Sequence, residues 1–373
     1  MPVCPMHRPG GSVSQIKSRS SKLPERILII PFADGIGDFV NMQPLVIAVA
    51  RRFPQADISV AASSYANYLV SPQQPVRVVT PSWFKQEPSP FAQSLRHFIP
   101  QIVLAWFAAP VLKRELDVDI DLVINTVYLW ERNLDFPHYW TPQVPARPGA
   151  VHTLDCIADA LEEELGIYIP PAQRYPQLYV RTRSREWAED FILREELNGL
   201  PLVALIPESN MLIKKWPAAE WAYLNDSLQE RGFRTLLFAD ARDCALSRQV
   251  IAHSKHPPLF VSAKLDNVAA LLERCALAVG VDTGLLHMAA SVGTRWLGLF
   301  GPTNPEVTGP YDRRLGRGLV APFVKVEGCR NCWKSFKYED DECRTLENRS
   351  CMSLLERNTV LEASLELLEP VRV

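Results

Sequence analysis

Residues 26–62 have the sequence RILIIPFADGIGDFVNMQPLVIAVARRFPQADISVAA, and this stretch decides the fold class. It opens with Arg26–Ile30, a short apolar run rich in isoleucine, which predicts a strand buried in a parallel sheet. A turn with Gly35 and Gly37 follows, then a helical pattern from about Phe39 to Phe53 and a second strand at Ile58–Ala62. This order predicts a β-α-β unit of a doubly wound sheet.

The rest of the chain repeats the alternation. A strand is predicted at Leu122–Val127, a loop at Pro137–Pro148, where four prolines fall, and a helix at about His152–Leu165. From residue 202 onward we predict strands at Leu202–Ile206, Arg234–Phe238, Leu259–Val261, Leu277–Gly280 and Trp296–Phe300, and helices at about 217–231, 243–254, 267–275, 285–292 and 354–368. The sequence therefore predicts an α/β protein of two Rossmann-like domains, 26–175 and 176–373, which face a cleft, after a disordered tail at 1–25.

The composition narrows the classes of function. Hydrophobic residues make up 47% of the 373 residues, enough for two cores, and 40 basic against 42 acidic side chains give a net charge of −2. A protein that holds nucleic acid by its phosphates usually has a clear basic excess, so we expect no nucleic-acid partner. The first residues contain no apolar signal core, so we expect a cytoplasmic protein. The apolar stretch Phe98–Leu112 is too short for a membrane span, and a buried helix is favoured over peripheral contact with the inner face of a membrane.

Two turns are candidates for binding an anion. Glycines after the first strand bring the backbone close to a ligand, although the spacing alone favours Asp38 as a helix cap. The stretch Asp282-Thr283-Gly284 precedes a helix, and the N–H groups at such a helix end favour a diphosphate. His287, one turn further on, is either a satisfied histidine or a hydrogen-bond donor to phosphate or sugar.

Two lysines stand just before another predicted helix. Lys214 and Lys215 face the positive end of that helix dipole, which is an unfavourable place for cations. A bound diphosphate would resolve this conflict. The alternative is a pair of solvated surface lysines.

These motifs, in this order, resemble glycosyltransferase family 9, the heptosyltransferases of lipopolysaccharide assembly and their relatives. The similarity spans about Arg26 to the C-terminal helix and rests on four stretches: residues 27–44 with Gly35-Ile-Gly-Asp38, Lys214-Lys-Trp-Pro217, Asp282-Thr-Gly-Leu-Leu-His287, and Leu299-Phe-Gly-Pro-Thr-Asn-Pro305 with Thr308-Gly-Pro-Tyr311. Each stretch falls at an expected strand–helix junction.

The resemblance implies a GT-B fold, in which the donor binds chiefly to the C-terminal domain and the acceptor to the N-terminal one. It implies an inverting, metal-independent transfer of a sugar, heptose first of all, from an ADP-sugar to a hydroxyl of a cell-envelope glycan, glycolipid or protein. No cofactor is expected for catalysis. The implied roles are general base for Asp38, charge neutralisation for Lys214, phosphate binding by the backbone of Thr283 and Gly284, sugar contacts for Asp282, phosphate or sugar contacts for His287, and ribose binding for Asp243.

The sequence departs from the family pattern at two places. Relatives usually have a Pro-Gly pair where this chain has Pro207-Glu208, which brings a carboxylate near the expected diphosphate. Either that carboxylate alters the geometry of the donor, or it points away. Arg295 and Trp296 also replace the smaller residues that are usual before that strand.

Four cysteines lie close together near the C-terminus, within residues 329–351. Cys329 and Cys332 have the spacing of a metal knuckle, and Cys343 and Cys351 complete a set of four thiolates that suits structural zinc or iron. The resemblance adds that a cysteine-rich finger in the protein-modifying members of the family binds iron. The alternative is four reduced thiols.

Two other functions stay open at this point. A NAD-linked oxidoreductase also uses Rossmann domains, but the first turn lacks the third glycine of the dinucleotide fingerprint. A non-catalytic family member would bind the nucleotide alone.

Overall fold

A computed structural model of the protein describes residues 23–30, 35–62, 66–67, 70, 76–80, 120–125, 139–140, 152–240, 244–322 and 350–369. The described residues form two parallel sheets with helices packed on them. No helix among these residues is both long and apolar enough to cross a membrane. The apolar stretch 98–112 lies outside the described residues.

The N-terminal sheet has five parallel strands in the order β3-β2-β1-β4-β5. The strands are β1 (Arg26–Ile30), β2 (Asp57–Ala61), β3 (Val76–Val79), β4 (Leu122–Asn125) and β5 (Tyr139–Trp140), and helices α1 (Ile36–Asn41) and α2 (Gln43–Arg52) connect β1 to β2. The strand order reverses direction between β1 and β4. Ligands of doubly wound sheets bind outside the carboxyl ends of the strands at such a switch point.

The C-terminal sheet has six parallel strands in the order β11-β10-β9-β6-β7-β8. The strands are β6 (Leu202–Ile206), β7 (Arg234–Phe238), β8 (Leu259–Val261), β9 (Leu277–Val281), β10 (Trp296–Phe300) and β11 (Gly316–Val320). The helices are α3 (Thr153–Leu165), α4 (Thr182–Arg194), α5 (Ala218–Gln229), α6 (Ala245–His253), α7 (Leu265–Glu273), α8 (Gly284–Ser291), α9 (Pro305–Thr308) and α10 (Arg357–Leu368). Here the switch point lies between β6 and β9.

Strands β6, β9 and β10 are apolar throughout because both of their faces are buried. In β6, Leu202, Ala204 and Ile206 point into one core, whereas Val203 and Leu205 point into the core on the opposite face. Alternate side chains of a strand leave opposite faces of the sheet, so a strand covered on both sides needs apolar residues at every position. The first of these cores continues into the N-terminal sheet, where it includes residues of β1, β2 and β4.

Three predictions of secondary structure need correction. The helix predicted from Phe39 to Phe53 is two helices that meet at Met42, because Pro44 has no N–H group and its ring would clash with the carbonyl of Val40. Tyr139–Trp140, inside the predicted loop, pairs with β4 as a short edge strand. The last helix begins at Arg357, after a 3-10 turn, and not at Leu354.

One long helix and two strands were not predicted at all. Helix α4 packs on α7, and strands β3 and β11 each complete an edge of a sheet. Edge strands bury less apolar surface, so their sequences carry a weaker signal; in β3 the side chain of Arg77 is exposed. The boundary at 175/176 stays a prediction.

Candidate active site

Asp38 lies in the first turn of α1, just beyond the carboxyl end of β1. The N-cap of α1 is Gly35 and not Asp38, so the prediction that Asp38 is the helix cap is wrong. A Cβ atom on Gly35 would lie 2.6 Å from the Asp38 Oδ2 atom. A glycine is therefore needed at position 35 for the carboxylate to fold back over the turn.

Burial makes the Asp38 carboxyl a weaker acid than an ordinary aspartate. Loss of solvent raises its pKa from 3.8 to about 6, an effect that Asp282 adds to and that His287 and Lys214 oppose. The side chain keeps part of its surface exposed. Asp38 is thus ionised at neutral pH, yet its pKa is close enough to neutrality for it to accept a proton during a reaction.

The C-terminal sheet contributes a buried ion pair at its own switch point. Lys214 follows β6 and Asp282 follows β9, and the Lys214 Nζ atom lies 2.8 Å from Asp282 Oδ2. Their side chains are only 17% and 7% exposed. The His287 Nε2 atom lies 3.9 Å from the other carboxylate oxygen, Oδ1. Although burial opposes it, the charge of Lys214 and the contact with His287 hold the pKa of Asp282 below its ordinary value.

The two halves of the site touch through glycines. A Cβ atom on Gly37 would lie 2.9 Å from the His287 ring, and one on Gly284 would lie 2.6 Å from the Ile36 Cβ atom and 2.9 Å from the Gly37 backbone nitrogen. The N-terminal ends of α1 and α8 therefore pack directly on each other. This contact brings the Asp38 carboxyl to the buried ion pair.

Helix α8 begins at Gly284 with Thr283 as its N-cap. The Thr283 side chain makes no cap hydrogen bond, so it does not compete for the amides of the first turn. These amides and the positive end of the helix dipole favour an anion. Of the residues predicted for the site, Asp38, Lys214, Asp282, Thr283, Gly284 and His287 come together here.

Most of the remaining predicted site residues lie outside the described part of the chain. Asp243 and the cysteines Cys329, Cys332 and Cys343 lie outside the described residues. Cys351 begins the 3-10 turn before α10, and its Sγ atom would lie 2.7 Å from a Cβ atom on Gly301. Among the side chains that the structure describes, no group of three or more metal-binding residues is found.

The departures from the family pattern have structural roles. The Arg295 guanidinium donates hydrogen bonds to the carbonyls of Leu367 and Glu369, at the end of α10. The Trp296 indole is fully buried and donates to the carbonyl of Asp312. Glu208 points to Lys215 and to the start of α6, and not to Asp282.

One polar cluster near the site was not predicted. The Tyr311 hydroxyl donates to Asp155 at 2.7 Å, and Arg174 donates to the same carboxylate at 2.8 Å. His152 caps α3 by accepting the Leu154 N–H at Nδ1, so its Nε2–H donates to the Gly309 carbonyl. The conspicuous Thr308-Gly-Pro-Tyr311 stretch was the available signal, and the structure shows that it fastens α3 to the C-terminal sheet.

Two doubly wound parallel sheets, each contributing the carboxyl ends of its switch-point strands to one site, define the GT-B class. Two solved structures share this fold. Glycosyltransferase family 9 from Veillonella parvula has a TM-score of 0.69 and 17% identity, covering 92% of this chain and 97% of that one. ADP-heptose LPS heptosyltransferase II from Escherichia coli has a TM-score of 0.60 and 20% identity, covering 92% and 98%.

The sequence comparisons show similarity to one family. Residues 143–324 match the family model of glycosyltransferase family 9 (heptosyltransferase). Lipopolysaccharide heptosyltransferase 1 from Pseudomonas aeruginosa is 33% identical over 132 residues, which is 34% of this chain and 37% of the relative. The chain thus spans well under half the length of this curated relative. These findings confirm the predicted resemblance of the chain to the heptosyltransferase-like glycosyltransferase family 9.

Proposed function

We propose that this protein is an inverting, metal-independent glycosyltransferase that moves heptose from ADP-heptose to a hydroxyl of a cell-envelope glycan, glycolipid or protein. The observation that carries this proposal is the meeting of Asp38 with the Lys214–Asp282 pair across two packed helix ends. Asp38, which would serve as the base for the acceptor, interacts electrostatically with Lys214, which would serve as the cation for the leaving group. The match to the family model favours this function over the NAD-linked oxidoreductase.

Asp38 acts as the general base in this proposal. It takes the proton of the acceptor hydroxyl while the hydroxyl oxygen forms its bond to the anomeric carbon of the donor sugar. The bond from that carbon to the diphosphate breaks on the opposite side, so the configuration inverts. A pKa of about 6 keeps the carboxyl ionised at neutral pH and still basic enough to accept the proton.

The departing nucleoside diphosphate gains negative charge, and the C-terminal half of the site offers positive groups for it. Lys214 leaves its partner Asp282 to contact the diphosphate, and the backbone N–H groups of Thr283 and Gly284 bind phosphate oxygens. Asp282, released from Lys214, accepts hydrogen bonds from sugar hydroxyls. His287 donates to phosphate or sugar, and Asp243 binds the ribose.

Donor binding by calorimetry tests the proposal, with ADP and ADP-heptose compared with UDP and UDP-glucose. Selective binding of the adenine nucleotides, weakened about tenfold or more in Lys214→Ala, is the expected result, because a charge-assisted contact is lost. Arg185→Ala, which removes an exposed cation that pairs with Glu273, is the matched control and should bind ADP as the wild type does. Binding of uridine nucleotides alone would rule out the ADP-heptose donor.

The base is tested separately by Asp38→Ala. This variant should lose transfer and keep ADP affinity within about threefold, because the carboxyl acts on the acceptor and not on the diphosphate. Full turnover by the variant would exclude Asp38 as the base. The stereochemistry of the product, followed by NMR, checks the inversion directly.

A further inference from the structure

Glu208 stands two residues beyond β6, where relatives usually have glycine, and its carboxylate is fixed on both oxygens. Oε1 accepts hydrogen bonds from the Ser247 backbone N–H at 2.8 Å and from the Ser247 hydroxyl at 3.0 Å. Oε2 accepts from the Lys215 ammonium at 2.9 Å. The side chains of Glu208 and Lys215 are only 13% and 16% exposed. Glu208 therefore joins three segments: the end of β6, the loop that carries the lysines, and the start of α6.

The contact with Ser247 satisfies a helix end that lacks a cap of its own. Helix α6 begins at Ala245, and its N-cap residue, Cys244, gives it no side-chain cap hydrogen bond. Ser247 is the third residue of the helix, and its N–H group has no intrahelical acceptor. A carboxylate is well placed there because it accepts this hydrogen bond and complements the positive end of the helix dipole.

The two neighbouring lysines are divided between two carboxylates. Lys214 contacts Asp282 at 2.8 Å, whereas Lys215 contacts Glu208 at 2.9 Å. In the absence of Glu208, the partly buried Lys215 would have an uncompensated charge beside the site. This charge acts on Lys214, because the two lysines are adjacent in the chain.

We propose that Glu208 is a positioning residue for the leaving-group side of the site. It neutralises Lys215, so that Lys214 alone meets the diphosphate. This inference rests on the function proposed above. It assigns a role to a carboxylate that stands where the family pattern has no side chain.

The isosteric variant Glu208→Gln separates this role from a purely structural one. The glutamine oxygen can still accept from Ser247, but the glutamine amide faces the Lys215 ammonium with a second donor. The freed charge of Lys215 attracts the diphosphate in the ground state, while Lys214 is displaced from the leaving group. We expect kcat to fall about tenfold while ADP binds at least as tightly as to the wild type. A structural lesion would weaken both.

The double variant Glu208→Gln/Lys215→Met supplies the decisive comparison. It removes the uncompensated charge, so kcat should return to within about threefold of the wild type, a non-additive result. Glu230→Gln, which breaks an exposed pair with Lys255, is the matched control and should leave all constants unchanged.

The inference is overturned if Glu208→Gln keeps the wild-type kcat and ADP affinity, or if Lys215→Met gives no recovery. In either case the proposed function still stands, provided that the wild-type protein binds ADP and turns over. If the wild type itself binds no ADP, then the function and the inference fall together. The calorimetry on the wild type therefore comes first and tells the two failures apart.

Discussion

Replacing Asp38 with asparagine should stabilise the protein above pH 6 while it abolishes the proposed transfer. The folded protein holds the Asp38 proton up to a pH of about 6, whereas an unfolded chain releases it near 3.8. A carboxyl whose folded pKa is raised contributes stability below the unfolded pKa, and this contribution is lost as pH rises through the folded pKa. Asparagine has the same shape and never ionises, so it avoids this loss.

The size of the effect follows from the shift in pKa. A rise from 3.8 to about 6 corresponds to at most about 3 kcal/mol in the free energy of unfolding, since one pKa unit is worth about 1.4 kcal/mol. Asp38 keeps part of its surface in water, which screens the charge and reduces this value. We therefore expect Asp38→Asn to be more stable by about 2 kcal/mol at neutral pH.

The assay is urea unfolding of both proteins from about pH 4 to pH 8, followed by subtraction of the two free energies. The difference should be near zero at about pH 4, rise towards pH 6 and stay constant above it. Subtraction removes the other titrating groups, which are the same in both proteins. Asp312→Asn is the control with the opposite sign, because the Arg314 guanidinium holds the pKa of Asp312 below its ordinary value.

A difference that does not change with pH, or an Asp38→Asn protein that is the less stable of the two at neutral pH, would refute this prediction. Either result would mean that the carboxyl is not strained by burial in the folded state. A carboxylate that stabilised the fold would instead behave like Asp312. Its loss would then cost stability above about pH 4.

Three further predictions concern the same region. The kcat/KM of the wild type should fall about tenfold per pH unit below about pH 6, as Asp38 becomes protonated; a flat profile would exclude it as the base. Gly284→Ala should lower kcat at least tenfold and spare ADP binding, because the added Cβ atom would lie 2.6 Å from the Ile36 Cβ atom and would separate α1 from α8. Turnover at the wild-type rate would show that the contact between the two helices is dispensable. His152→Asn, which can cap α3 but cannot ionise, should become more stable relative to the wild type as pH falls from about 6.5 to about 4, because burial lowers the pKa of His152 to about 4. Urea unfolding measures this difference, and a difference that does not change with pH would contradict the lowered pKa.

The strands of the two sheets were the most predictable part of the fold. Arg26–Ile30, Arg234–Phe238, Leu259–Val261 and Trp296–Phe300 have the predicted bounds, and the reason is burial. A parallel strand covered on both faces is a short apolar run between polar turns, which a sequence displays directly. The split at Met42 was missed because the helical pattern continues through it, although Pro44 was a usable signal.

The candidate site was predictable only as a list of residues. Its members follow strand ends, and a doubly wound sheet brings such positions to one edge, so their approach could be expected. The pairing of lysines with carboxylates could not be expected, because Lys214 and Asp282 are 68 positions apart and Lys215 is an equally good candidate. The outcome depends on Glu208, whose contacts with α6 come from packing and not from a local pattern.

The burial that raises the pKa of Asp38 is accompanied by a shift of opposite sign at His152. Burial lowers the pKa of His152 from 6.5 to about 4, so its contribution to stability is lost as pH falls over the window in which Asp38 gains its proton. Each shift is worth up to about 3 kcal/mol, with opposite signs, so the two largely cancel in the wild type. A nearly flat stability between about pH 4 and pH 6 would therefore conceal both groups. Asp38→Asn removes one of them and leaves a protein that is more sensitive to acid, whereas His152→Asn leaves one that gains stability on acidification.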